Sequence, residues 1–204
     1  MNTSEQATIQ GLAKQVAEIA NSAEMEIRRQ RWRDTFMLRK TDRAPVWLRP
    51  GTEWLREIVT EQDLECREPF ARGLEFQLKA ILAHHAFGDD SFILPYWKVA
   101  AAVRHEGEHL WGLEVKRHDS GFSGGAWSYD PPVHQESDLD RLIMPTWAYD
   151  QAENDRRLNR DAEYLGAALP VRLHRSLALF PGVARNASDL IGLDNLLINM
   201  ALEP

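Results

Sequence analysis

The stretch DRAPVWLRPGTEWLREI, Asp42 to Ile58, decides how the chain is read. Ala44 to Leu48 form a short apolar run that ends on a basic residue, Arg49, and on a break, Pro50-Gly51. Thr52 is placed to cap a helix, because a hydroxyl there satisfies a free backbone N–H, and Glu53 to Val59 carry a helical pattern. Apolar strand, break and helix together predict a unit of an α/β fold, in which a parallel strand buried on both faces reads as a continuous apolar run. Open α/β sheets and (β/α) barrels place their chemistry at the carboxyl ends of their strands. That makes Arg49 the first candidate for contact with a substrate.

Working outward, residues 4 to 40 predict helix, with Ile9, Leu12, Val16 and Ile19 on one stripe and Trp32, Phe36 and Met37 on a second. Asn21-Ser22 predict a division between two helices. Pro69 opens a helical pattern that runs to Phe87, with Phe70, Leu74, Leu78, Ile81 and Leu82 on one face and Gly88 as its stop. Asp90 to Trp97 (DSFILPYW) predict a second buried strand. Val99 to His118 alternate apolar and polar about Gly107, which predicts an antiparallel hairpin. FSGGAWSYDPPV, 122 to 133, predicts loop, and Asp150 to Gly166 a helix of sparse apolar positions. Pro170 to Leu177 predict a third strand, FPGVARNA the loop after it, and Asp189 to Leu202 the last helix.

This organisation divides the chain into an N-terminal helical segment, 1–40, and a partial (β/α) barrel, 41–204, with a hairpin insertion near 99–135. A closed barrel needs about eight strands in about 250 residues. Three β/α units in 204 residues therefore predict the N-terminal portion of a longer enzyme, whether truncated, frameshifted or split. Two open sheet edges would favour pairing with another chain.

Composition narrows the function. An apolar fraction of 44% and a charged fraction of 27% are those of a globular protein. A net charge of -7 argues against a general nucleic-acid surface, which needs clustered Lys and Arg. The basic cluster Arg28, Arg29, Arg31 and Arg33 is interleaved with Glu24 and Glu26 and reads as a solvated helix face. One cysteine, Cys66, admits no internal disulfide and fits a reducing compartment. No apolar run approaches the ~18 residues a membrane span requires. The N-terminus lacks a basic region followed by an apolar one. The expectation is a cytoplasmic protein with no membrane or nucleic-acid partner.

The three predicted strand ends bring together Arg49, Glu53, Tyr96, Trp97, Lys98, His174 and Arg175. A cation there can hold a substrate carboxylate by a charge-assisted contact. His174 is the candidate catalytic acid or base, and the aromatic residues the wall of a flat ligand's pocket. His105-Glu106-Gly107-Glu108-His109 matches the H-E-x-x-H zinc motif. Its flanks alternate like strands and Gly107 interrupts it. In a strand, residues i and i+4 stand ~13 Å apart, too far for one metal, so a turn is expected and no metal ligand. His84-His85 end a helix, where a cation suits the dipole. Cys66, with no Cys or His at ligand spacing, reads as inert, and Asp89-Asp90 as the inactive bottom of the sheet. Trp111, Trp127 and Trp147 on the insertion are candidates to line a lid.

Arg28 to Trp47 (RRQRWRDTFMLRKTDRAPVW), with its lead-in helix, D-R-x-P-V-W and strand-end Arg49, resembles the opening of the uroporphyrinogen decarboxylase superfamily. Asp189 to Pro204 resembles the helix after that fold's third strand. The resemblance implies the N-terminal part of a TIM-type (β/α)8 barrel and, for the superfamily, either decarboxylation in porphyrin biosynthesis or corrinoid-dependent methyl transfer. Decarboxylases follow P-V-W with R-Q-A-G-R-Y, whose arginines hold substrate carboxylates. Here Arg49 keeps the first arginine and Glu53 replaces the second. The catalytic Asp expected near Trp97 is absent too, with no carboxylate between Ser91 and Val103. The resemblance therefore implies a methyltransferase-like member acting on a small methylated substrate. A corrinoid protein or a complementary barrel half would be its partner, and zinc and corrinoid would be cofactors of the complete enzyme, with none held within this chain. A non-catalytic fragment or partner subunit is the remaining alternative.

Overall fold

The computed structural model describes residues 3–122, 126–175 and 182–202. Its helices are α1 (Thr3–Ala20), α2 (Ala23–Phe36), α3 (Thr52–Ile58), α4 (Pro69–His85), α5 (Gln151–Leu165), α6 (Val183–Ile191) and α7 (Leu193–Leu202). Its strands are β1 (Trp97–Ala100), β2 (Val103–Glu106), β3 (Lys116–Asp119), β4 (Trp127–Asp130), β5 (Thr146–Tyr149) and β6 (Val171–His174). The class is mixed α/β, and the strands fall into three two-stranded sheets. Two compact units divide the chain: Met1–Ala100 with Ala152–His174, and Ala101–Gln151 with Arg175–Pro204.

The first unit is organised by α1 against α4. Ile9, Ala13 and Val16 on α1 meet Leu74 and Leu78 on α4, and Leu165 and Leu169 join the same buried cluster. The 3.6-residue period of both helices puts these side chains on single faces, and burying them is the main favourable term in folding. α2 is set off from α1 by Asn21 and Ser22, as the sequence predicts. Ser22 caps it, its hydroxyl accepting from the Met25 N–H. Beside these helices β1 and β6 run parallel, Trp97 opposite Val171 through Ala100 opposite His174. Parallel neighbours require a long crossover, and α5 is the helix that precedes the return.

The predicted strand over Ala44–Leu48 is extended but forms no strand. Its backbone is held largely by side chains. The Val46 N–H donates to Asp90 Oδ2 and the Leu48 N–H to Asp89 Oδ2, each at 2.8 Å, while the Asp90 N–H donates to Val46 O. Val46 and Trp47 remain half exposed, whereas a parallel strand needs both faces covered. The predicted strand Asp90–Trp97 likewise begins only at Trp97. Upstream, Ser91 N–H bonds to Asp89, Ile93 N–H points at the Met25 sulfur, and Pro95 has no donor, so no ladder can form. The third predicted strand is β6, within Pro170–Leu177. Ser176 and Leu177 lie outside the described residues.

The hairpin expected about Gly107 is re-paired in the second unit. β2 pairs antiparallel with β5, some forty residues on, and β3 pairs with β4, inside the segment read as loop. Alternation fixes which face a strand buries but not which strand it joins. Gly107 (φ +107) and Gly112 (φ +76) turn the chain twice between β2 and β3, which separates the two halves of the expected hairpin. The single last helix expected over Asp189–Leu202 is instead α6 and α7, divided at Gly192, whose φ of +88 no helix accommodates. Thr52 is the first residue of α3 rather than its cap. Gly51 holds the cap position, with no side-chain bond. No helix among the described residues is long and apolar enough to cross a membrane.

Candidate functional site

Within the first unit the extended stretch after α2, the end of α4 and the start of β1 enclose an open cavity of about 620 Å³. Its aromatic wall is Trp32 and Phe36 from α2, Trp47 from the tethered stretch, Phe92, and Tyr96 and Trp97 at the entry to β1. Trp32 meets Trp47 edge-on at 6.3 Å and Phe36 at 5.8 Å. The polar groups on its surface are His84, His85, Ser91, Gln77 and Lys98, with no carboxylate among them.

Two aspartates build this wall from behind. Asp90, 1% exposed, is ion-paired with Arg31 and Arg43 and accepts from the Val46 N–H, and its own carbonyl accepts from Trp32 Nε1 at 2.7 Å. One residue thereby fixes the positions of both Trp32 and the stretch that carries Trp47. Burial alone would push the Asp90 carboxyl up, but the Arg43 and Val46 hydrogen bonds and the Arg31 charge outweigh it, and its pKa falls below the ordinary range. Asp89 is lowered in the same way, burial being outweighed by bonds from Ser91, Leu48 and His84. His84 Nε2 sits 3.2 Å from Asp89 Oδ2, so this imidazole is oriented by a carboxylate as well as by the helix end. The pair read from sequence as the inactive bottom of a sheet thus holds the cavity wall in place.

Behind Trp97 a second, smaller cavity of about 220 Å³ lies between α4, α5 and β1. The Trp97 indole N–H donates to Asp161 Oδ2 at 3.1 Å, and Asp161 is 6% exposed. Burial pushes the Asp161 carboxyl up, only partly offset by Trp97 and by Arg160, whose guanidinium lies 3.6 Å from Asp161 Oδ1. Gln77, Trp97 and Lys98 line both cavities. Trp97 is therefore the partition, fixed by a buried acid on one side and offered to the larger cavity on the other.

The residues expected to converge do so only in part. Tyr96, Trp97 and Lys98 line the larger cavity, although Tyr96 precedes β1 and the other two begin it rather than end a strand. Arg49 stands over the Trp47 ring, 5.1 Å from its centroid. Glu53 is exposed in the first turn of α3, and His174 is exposed at the carboxyl end of β6. Neither lines the cavity. Arg175 belongs to the second unit, 5.8 Å from the Tyr149 ring. The cavity sits at the amino ends of β1 and β6, next to Trp97 and Leu169, whereas His174 closes the opposite end of the pair. A strand assigned seven residues too early reversed which end carried Tyr96 to Lys98. Sequence reasoning passed over Trp47 and Asp161 and read His85 only as a helix-end cation. Trp47 was legible in the tethered stretch, and Asp161 carried no signal because α5 is charged on most of its faces.

Elsewhere, His105 and Glu106 end β2 and Gly107 turns the chain away, so H-E-x-x-H is not helical. His105 packs against Trp147 at 5.5 Å and Glu106 accepts from Thr146. Trp111, Trp127 and Trp147 all belong to the second unit. Cys66 is fully buried against α1 and α4, and burial, helped by Glu75, pushes its thiol up to about 12, which makes it unreactive. No family model, curated protein or solved structure matches this chain.

Proposed function

We propose that the aromatic cavity binds a small flat ligand. We further propose that the chain is the N-terminal part of a uroporphyrinogen decarboxylase superfamily enzyme, a methyltransferase-like member whose ligand is a small methylated substrate and whose acceptor is a corrinoid. The observation that carries the binding reading is the cavity itself, with six aromatic side chains around a concave space of the size small-ligand pockets have. The family reading is supported by the D-R-x-P-V-W stretch and by the parallel β1–β6 pair with α5 before its return, a fragment consistent with a TIM-type barrel. Glu53 in place of a second arginine and a cavity walled by apolar rings both disfavour a tetrapyrrole carrying many acids, so porphyrinogen decarboxylation ranks lower. Among the described residues no group of three or more His, Cys, Asp or Glu stands together to hold a metal. No bond-making step is assigned to these side chains. The cavity's place at the amino ends of the strands likewise assigns it binding, since barrel chemistry sits at the carboxyl ends.

The test is calorimetric titration of the purified chain with 2-naphthalenemethanol, an uncharged flat probe. Saturable 1:1 binding is expected, weakened at least tenfold in Trp47→Ala and in Tyr96→Ala, because each removes a stacking wall worth about 1.4 kcal/mol or more. Absence of saturable binding, or binding indifferent to both substitutions, would sink the reading.

A further inference from the structure

The larger cavity is apolar in its walls and one-signed at its edge. Lys98 stands exposed at its lining with no ion pair or hydrogen-bond partner among the described residues. His85, also in the lining, has a buried Nδ1 with no hydrogen-bond partner. Two of the wall rings carry guanidinium groups of their own. Arg49 lies 5.1 Å from the Trp47 centroid, and Arg172 lies 4.4 Å from that of Tyr96. No Asp or Glu lines the space. Asp89, behind His84, has both oxygens engaged, by Ser91 on one and by Leu48 and His84 on the other. An exposed lysine by itself is ordinary. An unpaired lysine beside a half-buried imidazole, in an aromatic cavity lined by no carboxylate, is a recognition pattern.

We propose that the ligand of this cavity is an aromatic carboxylate, its rings between the Trp47 and Tyr96 walls and its acid group against Lys98. Stacking on the walls selects a flat apolar body, and an ammonium-to-carboxylate contact beside low-dielectric walls is stronger than the same contact in water. A cationic ligand, which bare aromatic walls would attract, is disfavoured here by Lys98 and the two arginines. This inference deepens the ligand-site proposal and rests on it for the location of the site. It adds the charge and shape of what binds.

Three probes of one shape and different charge separate the two ideas: 2-naphthoate, 2-naphthalenemethanol and 2-naphthylmethylammonium, each titrated into the full chain by calorimetry at neutral pH. Naphthoate should bind about tenfold more tightly than the alcohol, and the ammonium more weakly than either. Lys98→Gln should abolish the preference, leaving naphthoate no tighter than the alcohol in the same variant. Lys98→Arg should keep most of the preference. Lys98 is exposed, so both variants are expected to melt with the parent, which a thermal scan checks. If the alcohol or the ammonium binds as well as naphthoate, or if Lys98→Gln leaves naphthoate untouched, the inference fails while the cavity survives as a ligand site. If none of the three binds, both readings fall.

Discussion

Asp90 is the residue on which the site depends most directly. Its carboxylate receives two arginines and a backbone N–H while its own side chain is 2% exposed. Removing the charge of such a group leaves Arg31, itself largely buried, without compensation, an effect much larger than that of a surface pair. Asp90→Asn is expected to destabilise the fold by about 3 kcal/mol, measured as a lower urea midpoint, and to loosen Trp47. An unchanged midpoint would contradict the hub assignment. Asp161 should behave in the opposite sense. Its folded pKa is raised, so its ionised form costs stability, fully at pH values above that raised pKa and not at all below the ordinary 3.8. Asp161→Asn should therefore stabilise the protein at pH 7, with the gain shrinking as pH falls towards 4. Asp89, Asp90 and Glu75 have lowered values. Their contribution is present above the ordinary carboxylate range and is lost as pH falls below it, so the parent should unfold in acid. A Tm flat from pH 7 to pH 2 would refute the three depressed carboxylates, and an Asp161→Asn gain that persists at pH 3 would refute the raised one.

At the scale of the element, local signals that act through the backbone were legible, and those that act through a partner were not. Asn21-Ser22 mark the α1–α2 boundary because a serine cap is a short-range device, and Gly88, three residues beyond the end of α4, turns the chain at a φ of +68 that glycine tolerates. Ser22→Ala should cost about 1 kcal/mol, read from the denaturation midpoint, and Ser22→Asp should recover most of it. Equal losses in both would mean that the hydroxyl contact to Met25 is not a cap. The strand boundaries failed for a different reason. DSFILPYW has the composition of a strand, but Ser91 and Ile93 give their N–H groups to side chains. No periodicity of residues 90 to 97 reveals that competition.

At the scale of the molecule, the second unit carries an apolar surface of its own. Leu193, Leu197, Ile198, Met200 and Leu202 on α7 are all more than half exposed. Exposed apolar side chains of this extent, Leu193, Leu197 and Met200 on one face and Ile198 and Leu202 on the other, favour association, and they support the alternative in which the chain acts as a partner subunit. Light scattering coupled to size exclusion should show a mass that rises with concentration. Leu197→Lys with Met200→Lys should shift it towards the monomer. A monomer at every concentration would remove the subunit alternative. The same measurement bears on the proposed barrel, because sheets of two strands leave edges that another chain can extend.

The sequence by itself determined the mixed α/β class, the positions of α1, α2, α4 and α5, the glycine turns and the inert cysteine. Each follows from periodicity, capping or burial within one segment. It also singled out Tyr96, Trp97 and Lys98, which line the larger cavity, together with Arg49, which stands over the Trp47 ring. Only the tertiary structure decided which end of the parallel pair those residues occupy, that His174 stands at the other end, and that Asp90 and Asp161 hold the cavity walls. These depend on contacts between residues about 45 to 75 positions apart, Asp90 with Arg31, Arg43 and Val46, Asp161 with Trp97, and β1 with β6. A buried carboxylate chooses its partners by proximity in space, and no spacing along the chain encodes that choice.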